Sequence, residues 1–278
     1  MIGRTNGGVG TGATLTVTAP ALCTVSISKD GKTKTKTAGA DGLAVFKGLE
    51  TGTWTVTITD GEQTAQKTAT VTADYSTEIT FFSATINVTY PAGSACTATD
   101  GTTTLTAPDT SGTWECVVPN AGTWTLKIDN GAANTVTVSN GGSYTVNKWY
   151  FYKNGTQFVP FEVGMNASFE SSDIRLNSAT AGATSVVTST NKISIKNCSK
   201  IVFIINATKI INNKPGARFG LGNSKTTIDN DTIVAYGGTS TTGSKTITAN
   251  LSSISGSYYV FALSWIIDIA ISEIYLEV

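Results

Sequence analysis

Apolar and polar residues alternate with a period of two along most of this chain. Leu15 and Val17 are separated by threonine, Val25 and Ile27 by serine, and Trp54, Val56 and Ile58 by threonine again. Such alternation puts apolar side chains on one face of a strand and polar ones on the other. Val45-Phe46, Val71 and Ile79 supply further core strands. The stretch Lys32-Thr-Lys-Thr-Lys-Thr37 alternates without any apolar face. It is predicted to be an edge strand whose lysines discourage pairing with another sheet. Asp30-Gly31, just before it, is a tight-turn signal. No segment carries a convincing helical period.

The pattern repeats. Ala13-Thr-Leu-Thr-Val-Thr-Ala-Pro-Ala21 returns as Ala84-Thr-Ile-Asn-Val-Thr-Tyr-Pro-Ala92, an offset of 71. Gly52-Thr-Trp-Thr55 returns as Gly122-Thr-Trp-Thr125, an offset of 70, as do Asp30-Gly31 at Asp100-Gly101 and Gly42 at Gly112. A repeat of this length is an autonomous small domain rather than a solenoid unit. About seven short strands with closely spaced turns predict an immunoglobulin-like sandwich. Trp54 and Trp124 are expected to be equivalent core aromatics. The alignment sets Cys96 opposite Val25 and Cys116 opposite Phe46. These two are therefore candidates for a disulfide or for a pair of buried thiols.

The repeat signature ends at Lys148, where the aromatic run Trp149-Tyr-Phe-Tyr152 begins. Beyond it Ile201-Val-Phe-Ile-Ile205 is apolar on both faces, as in a central covered strand. Further strands are predicted at 232–236, 246–250, 258–265 and 269–278, separated by Gly, Asn and Ser clusters. About eight strands fit a jelly-roll sandwich. The expected fold is therefore all-β: a glycine-rich flexible arm (1–12), immunoglobulin-like repeats at 13–82 and 83–148, and a jelly-roll-like sandwich at 149–278. The apolar stretch Tyr258–Leu276 is broken by Ser264, Asp268, Ser272 and Glu273, so it reads as two core strands rather than a membrane span.

Composition sharpens this picture. Nineteen basic residues balance nineteen acidic ones, without any run of Lys and Arg, which argues against nucleic acid as a partner. Charged residues are only 14%, so the surface is made polar by hydroxyls and amides; 35 threonines lie in residues 1–150 and 14 in 151–278. Threonine suits a half-exposed pleated surface. There is no histidine, which removes the commonest general acid–base group. No nucleophile elbow, phosphate loop, dinucleotide fingerprint or zinc motif occurs. The chain is expected not to be an enzyme and to need no cofactor or metal. The first residues lack a signal-peptide core, although the composition is of an exterior type.

Two resemblances follow from particular segments. Thr246-Ile-Thr-Ala-Asn-Leu-Ser-Ser-Ile-Ser-Gly-Ser-Tyr-Tyr-Val260, with Ile271-Ser-Glu-Ile-Tyr-Leu-Glu277, resembles the closing strands of galactose-binding-like or carbohydrate-module sandwiches. The repeats, with Asp41-Gly42, Gly48-Leu49 and Gly52-Thr-Trp-Thr55, resemble carboxypeptidase-regulatory-like immunoglobulin modules. In combination the chain resembles bacteriophage or prophage virion proteins of the tail or fibre type. That resemblance implies a structural or host-recognition role. The arm would meet other virion proteins, the repeats would act as spacers, and the last sandwich would meet a host-surface glycan or build a homo-oligomer. The alternative is a bacterial cell-surface adhesin, or a carbohydrate-binding module detached from an enzyme.

Sugar-binding sandwiches use aromatic faces and Arg, Asp or Asn side chains, usually on loops. Phe203, Tyr259, Phe261 and Trp265 lie in apolar runs and are expected in the core. Arg218, Asp229, Asp231 and Tyr236 stand in loop-like contexts and form the candidate ligand site. Asp229-Asn-Asp231 also reads as an ordinary turn, or as oxygen ligands for calcium. The first strands of the repeats carry no lysine, so no intramolecular isopeptide bond is expected.

Overall fold

The structure is a computed structural model and describes residues 12–129, 131–181, 183–210, 216–230 and 232–278. The expected flexible arm, apart from residue 12, lies outside the described residues. The chain divides into two compact units, residues 1–83 and 84–278.

The first unit is one repeat. Its strands are β1 (Ala13–Thr18), β2 (Thr24–Lys29), β3 (Lys32–Thr37), β4 (Leu43–Leu49), β5 (Gly52–Thr59), β6 (Thr64–Val71) and β7 (Tyr75–Glu78). They form two sheets, ordered β4-β1-β7 and β3-β2-β5-β6. The inward residues of both meet in one core that includes Leu15, Val25, Phe46, Trp54, Val56 and Ile58. The lysine–threonine strand β3 is an edge, exposed along its whole length. Asp30 and Gly31 both take positive φ, 50° and 75°, the geometry that closes a two-residue hairpin between Lys29 and Lys32.

The second unit begins with the other repeat: β8 (Ala84–Thr89), β9 (Cys96–Thr99), β10 (Thr104–Thr106), β11 (Thr113–Val118), β12 (Gly122–Ile128), β13 (Ala133–Val138) and β14 (Ser143–Val146). The order β11-β8-β14 and the run β10-β9-β12-β13 reproduce the first repeat strand for strand. Equivalent residues do equivalent work. The Trp54 and Trp124 indoles are buried, and each donates its N–H to the carbonyl four residues earlier, Glu50 and Asn120, at 3.0 Å. Gly42 and Gly112 each take a positive φ and accept the N–H of Ala19 and Tyr90 at 2.8 Å. The Asp100 turn differs from its counterpart. It spans four residues between Thr99 and Thr104, with the Asp100 carboxylate accepting the N–H groups of Thr102 and Thr103.

Cys96 and Cys116 occupy the positions of Val25 and Phe46, on β9 and β11, and both are buried free thiols. Burial pushes the Cys96 thiol up to about 12, with the neighbouring Cys116 adding to the rise. Burial likewise pushes Cys116 up to about 11 and Cys198 up to about 12. Each folded pKa is raised, so the stabilisation holds below the unfolded value near 9.0 and is lost as pH climbs toward 11–12. Iodoacetamide at pH 8 is therefore expected to leave these three thiols unlabelled in the native protein and to label them in urea. Native labelling of any of them, read by mass spectrometry, would contradict the buried thiol arrangement.

The remaining strands are β15 (Lys148–Lys153), β16 (Thr156–Gln157), β17 (Phe161–Val163), β18 (Ala167–Phe169), β19 (Ile174–Asn177), β20 (Ser185–Ser189), β21 (Ile193–Ser194), β22 (Lys200–Ile210), β23 (Gly216–Gly222), β24 (Ile233–Thr239), β25 (Gly243–Asn250), β26 (Ser257–Trp265) and β27 (Ile267–Glu277). A helical turn, α1 (Ser178–Ala181), lies between β19 and β20. One sheet is organised around β27, which pairs with β15 and β19 along one edge and β22 along the other, with β25 beyond β22. The facing sheet runs β17-β20-β26-β23-β24, with β21 also on β26. Phe203 from the first sheet and Phe219 from the second pack with ring centroids 5.3 Å apart, marking the interior of this sandwich. The fold is all-β: two immunoglobulin-like sandwiches and a jelly-roll-like one.

The second repeat is continuous with this sandwich. Ala133 on β13 pairs with Tyr150 on β15, joining the two into one eleven-stranded sheet. The buried Trp149 donates its indole N–H to Thr89 O at 2.9 Å. No helix among the described residues is long and apolar enough to cross a membrane.

Candidate functional site

Alternation along a strand decides which residues face outward. Phe219 points into the sandwich, so Arg218 and Gly220 point away from it. The register carries this face across the sheet. Arg218 is level with Leu263 on β26, and Leu263 with Val186 on β20. Gly220 is level with Phe261 on one side and Tyr236 on the other, and Gly216 is level with Trp265.

Three of these side chains form a stack. The Arg218 guanidinium lies over the Tyr236 ring at 5.1 Å from its centroid and over the Trp265 ring at 5.7 Å. A cation within about 6 Å of a ring centroid is attracted by the negative face of the ring. Arg218 Nη1 donates to Asn230 Oδ1 at 2.8 Å. Tyr236 is 53% exposed, so the stack opens to solvent. A glycine makes room for it: a Cβ on Gly216 would come within 2.1 Å of the Trp265 ring. Trp265 is held at the end of β26 by the corner that follows it. There Ile266 takes φ 62°, and the buried Ser178 hydroxyl donates to Ile267 O at 2.7 Å while accepting Ile267 N–H at 3.1 Å.

After β23, residues 223–230 cross this face as a strap. At one end Asn230 holds Arg218, and at the other Lys225 pairs with Glu162 on β17 at 2.6 Å. Two shallow clefts flank it. One, of about 230 Å³, is lined by Met165, Thr184, Val186, Thr226, Ile228 and Leu263. The other, of about 260 Å³, includes Glu162, Val163, Thr188 and Lys225. Phe261, on this outward face, is nonetheless 1% exposed.

Of the residues singled out from sequence, Arg218 and Tyr236 come together, but on adjacent strands rather than on loops. Asp229 stays in the loop, where its carboxylate accepts the N–H of Thr232 at 3.0 Å and shapes the turn. Asp231 lies outside the described residues. Phe203 and Phe261 are buried, whereas Tyr259 and Trp265, also expected in the core, are only half-buried on the outward face. The reason is that this face is covered by a loop along part of its width and not by a second sheet. Sequence reasoning missed Trp265, Glu162 and Lys225. The one available signal was Gly216-Ala-Arg-Phe-Gly-Leu-Gly222, a strand whose outward positions are glycine except for Arg218.

No protein-family model and no curated protein matches the chain. Solved structures share its sandwich character distantly. A minor pilin of Streptococcus agalactiae is 12% identical over 48% of this chain and 93% of its own, with a TM-score of 0.32. A carbohydrate-binding module of the β-sandwich superfamily is 13% identical over 82% and 93%, TM-score 0.26. A protein of a xyloglucan utilization locus in Bacteroides uniformis is 10% identical over 86% and 84%, TM-score 0.26. Similarity this distant leaves the function to be read from the chain's own residues.

Proposed function

We propose that this chain is a non-enzymatic glycan-recognition protein whose immunoglobulin-like repeats carry a C-terminal sandwich with its binding face on the outward side of β23, β24 and β26. The supporting observation is the open Tyr236–Arg218–Trp265 stack. Aromatic faces suit the C–H faces of a sugar ring, and a fixed guanidinium offers donors to its hydroxyls. The clefts beside the strap give a chain of sugars room on the same face. In its narrower form the proposal places this module on a bacteriophage virion. The alternative carriers are a bacterial cell surface and a carbohydrate-active enzyme. Proteomics of purified particles against washed cells tells these apart.

The full chain is expected to bind a subset of a bacterial glycan array. A Tyr236→Ala, Trp265→Ala double variant that keeps its β-type circular dichroism is expected to bind those glycans at least about tenfold more weakly. Equal binding by the folded variant would move the site elsewhere, and absence of any binding by the unaltered chain would refute the glycan reading.

A further inference from the structure

The stack suggests the charge of the ligand as well as its class, and this step rests on the glycan reading above. Arg218 carries five N–H donors in a planar fork. Tyr236 on β24 and Trp265 on β26 bring a ring toward it from the strand on either side, with centroids 5.1 and 5.7 Å away, and its remaining donors are left for a partner. One donor is taken by a neutral amide, Asn230. Among the described residues no carboxylate forms an ion pair with Arg218, whereas the strap's other cation, Lys225, is matched by Glu162. Asp229, in the same loop, directs an oxygen to a backbone N–H. Lys192, near the far end of β26, lies 5.7 Å from the centroid of the Tyr259 ring and adds a second cation to an aromatic side chain of that strand.

A guanidinium beside two rings and bonded to Asn230 is partly shielded from water and partly positioned before a ligand arrives, so less rotamer freedom is lost on binding. That favours a planar oxyanion that can accept two parallel N–H bonds. A neutral hydroxyl would accept a single such bond and bring no opposite charge. We infer that the ligand is an acidic glycan, one bearing a hexuronic acid, whose carboxylate is received by the edge of Arg218 while its ring lies against Tyr236 or Trp265.

The test uses the full chain and matched oligosaccharides, each hexuronic acid-containing member paired with its carboxyl-reduced, neutral counterpart. The acidic member is expected to bind about tenfold or more tightly than the neutral one, with the preference shrinking as salt is raised. Arg218→Gln is expected to abolish the preference while weak binding of the neutral partner survives, since the two rings remain. Arg218→Lys, which keeps the charge but loses the fork, is expected to retain only part of the preference. Equal binding of both members by the unaltered chain, or a preference untouched by Arg218→Gln, overturns the acidic assignment and leaves the glycan reading standing. Binding of neither member, together with a blank array, overturns both.

Discussion

Trp54→Ala is expected to destabilise the first repeat by about 3–5 kcal/mol, the range for removing a large aromatic from a packed core. Trp54 is 3% exposed and sits in the same core as Val25, Phe46 and Ile58. Its loss opens a cavity between the two sheets, and the rigid backbones of β2 and β5 cannot collapse to fill it. It also strips the Glu50 carbonyl of its indole donor. Trp54→Phe separates the two contributions. The ring stays, the hydrogen bond goes, and the expected cost falls to about 1–3 kcal/mol. Trp124→Ala, at the equivalent place with the Asn120 carbonyl, is expected to behave alike in its own repeat. Urea unfolding followed by far-ultraviolet circular dichroism measures each. A cost below about 1 kcal/mol for Trp54→Ala would mean that the indole does not hold these sheets together.

Gly220→Ala is expected to be the most damaging single methyl in the C-terminal sandwich, at about 3 kcal/mol. The added Cβ would lie 1.9 Å from Ala235 O and 2.8 Å from Tyr236 Cα. Both are backbone atoms and cannot rotate aside. Strand β24 would have to move off β23, and Tyr236 would leave Arg218 with it, so glycan binding is expected to fall together with stability. Gly222→Ala is the control on the same face of the same strand. Its Cβ would meet nothing closer than 3.4 Å, and the expected cost is below about 1 kcal/mol. If the two variants melt at the same temperature, the close approach of β24 to β23 is not what holds the site.

The halves of this chain differ in how much their sequence discloses. In the repeats each strand is covered on one face only, so the period of two maps directly onto burial. Leu15, Val17, Val25 and Ile27 are all fully buried, as the alternation demands. The recurrence at 70–71 residues adds a second copy of the same information, and the two tryptophans could be equated before any coordinate existed. The Asp30-Gly31 hairpin was legible for a local reason, since both residues tolerate positive φ.

In the last sandwich the same pattern is ambiguous. Tyr259, Phe261, Leu263 and Trp265 share one face of β26, and the sequence cannot say what covers that face. Only tertiary structure shows that a loop lies across it while Trp265 stays partly open. The site itself is assembled from positions 18–47 residues apart: Arg218, Tyr236 and Trp265. Whether three such side chains meet depends on strand order and register, which are set by packing among many residues. The sequence alone thus determined the all-β class, the duplicated repeat, the edge strand and the core tryptophans, because each follows from local periodicity and turn chemistry. The strap over the outward face, the stack of Arg218 between two rings and the join of β13 to β15 were decided by tertiary structure, because each depends on which distant segments come to lie side by side.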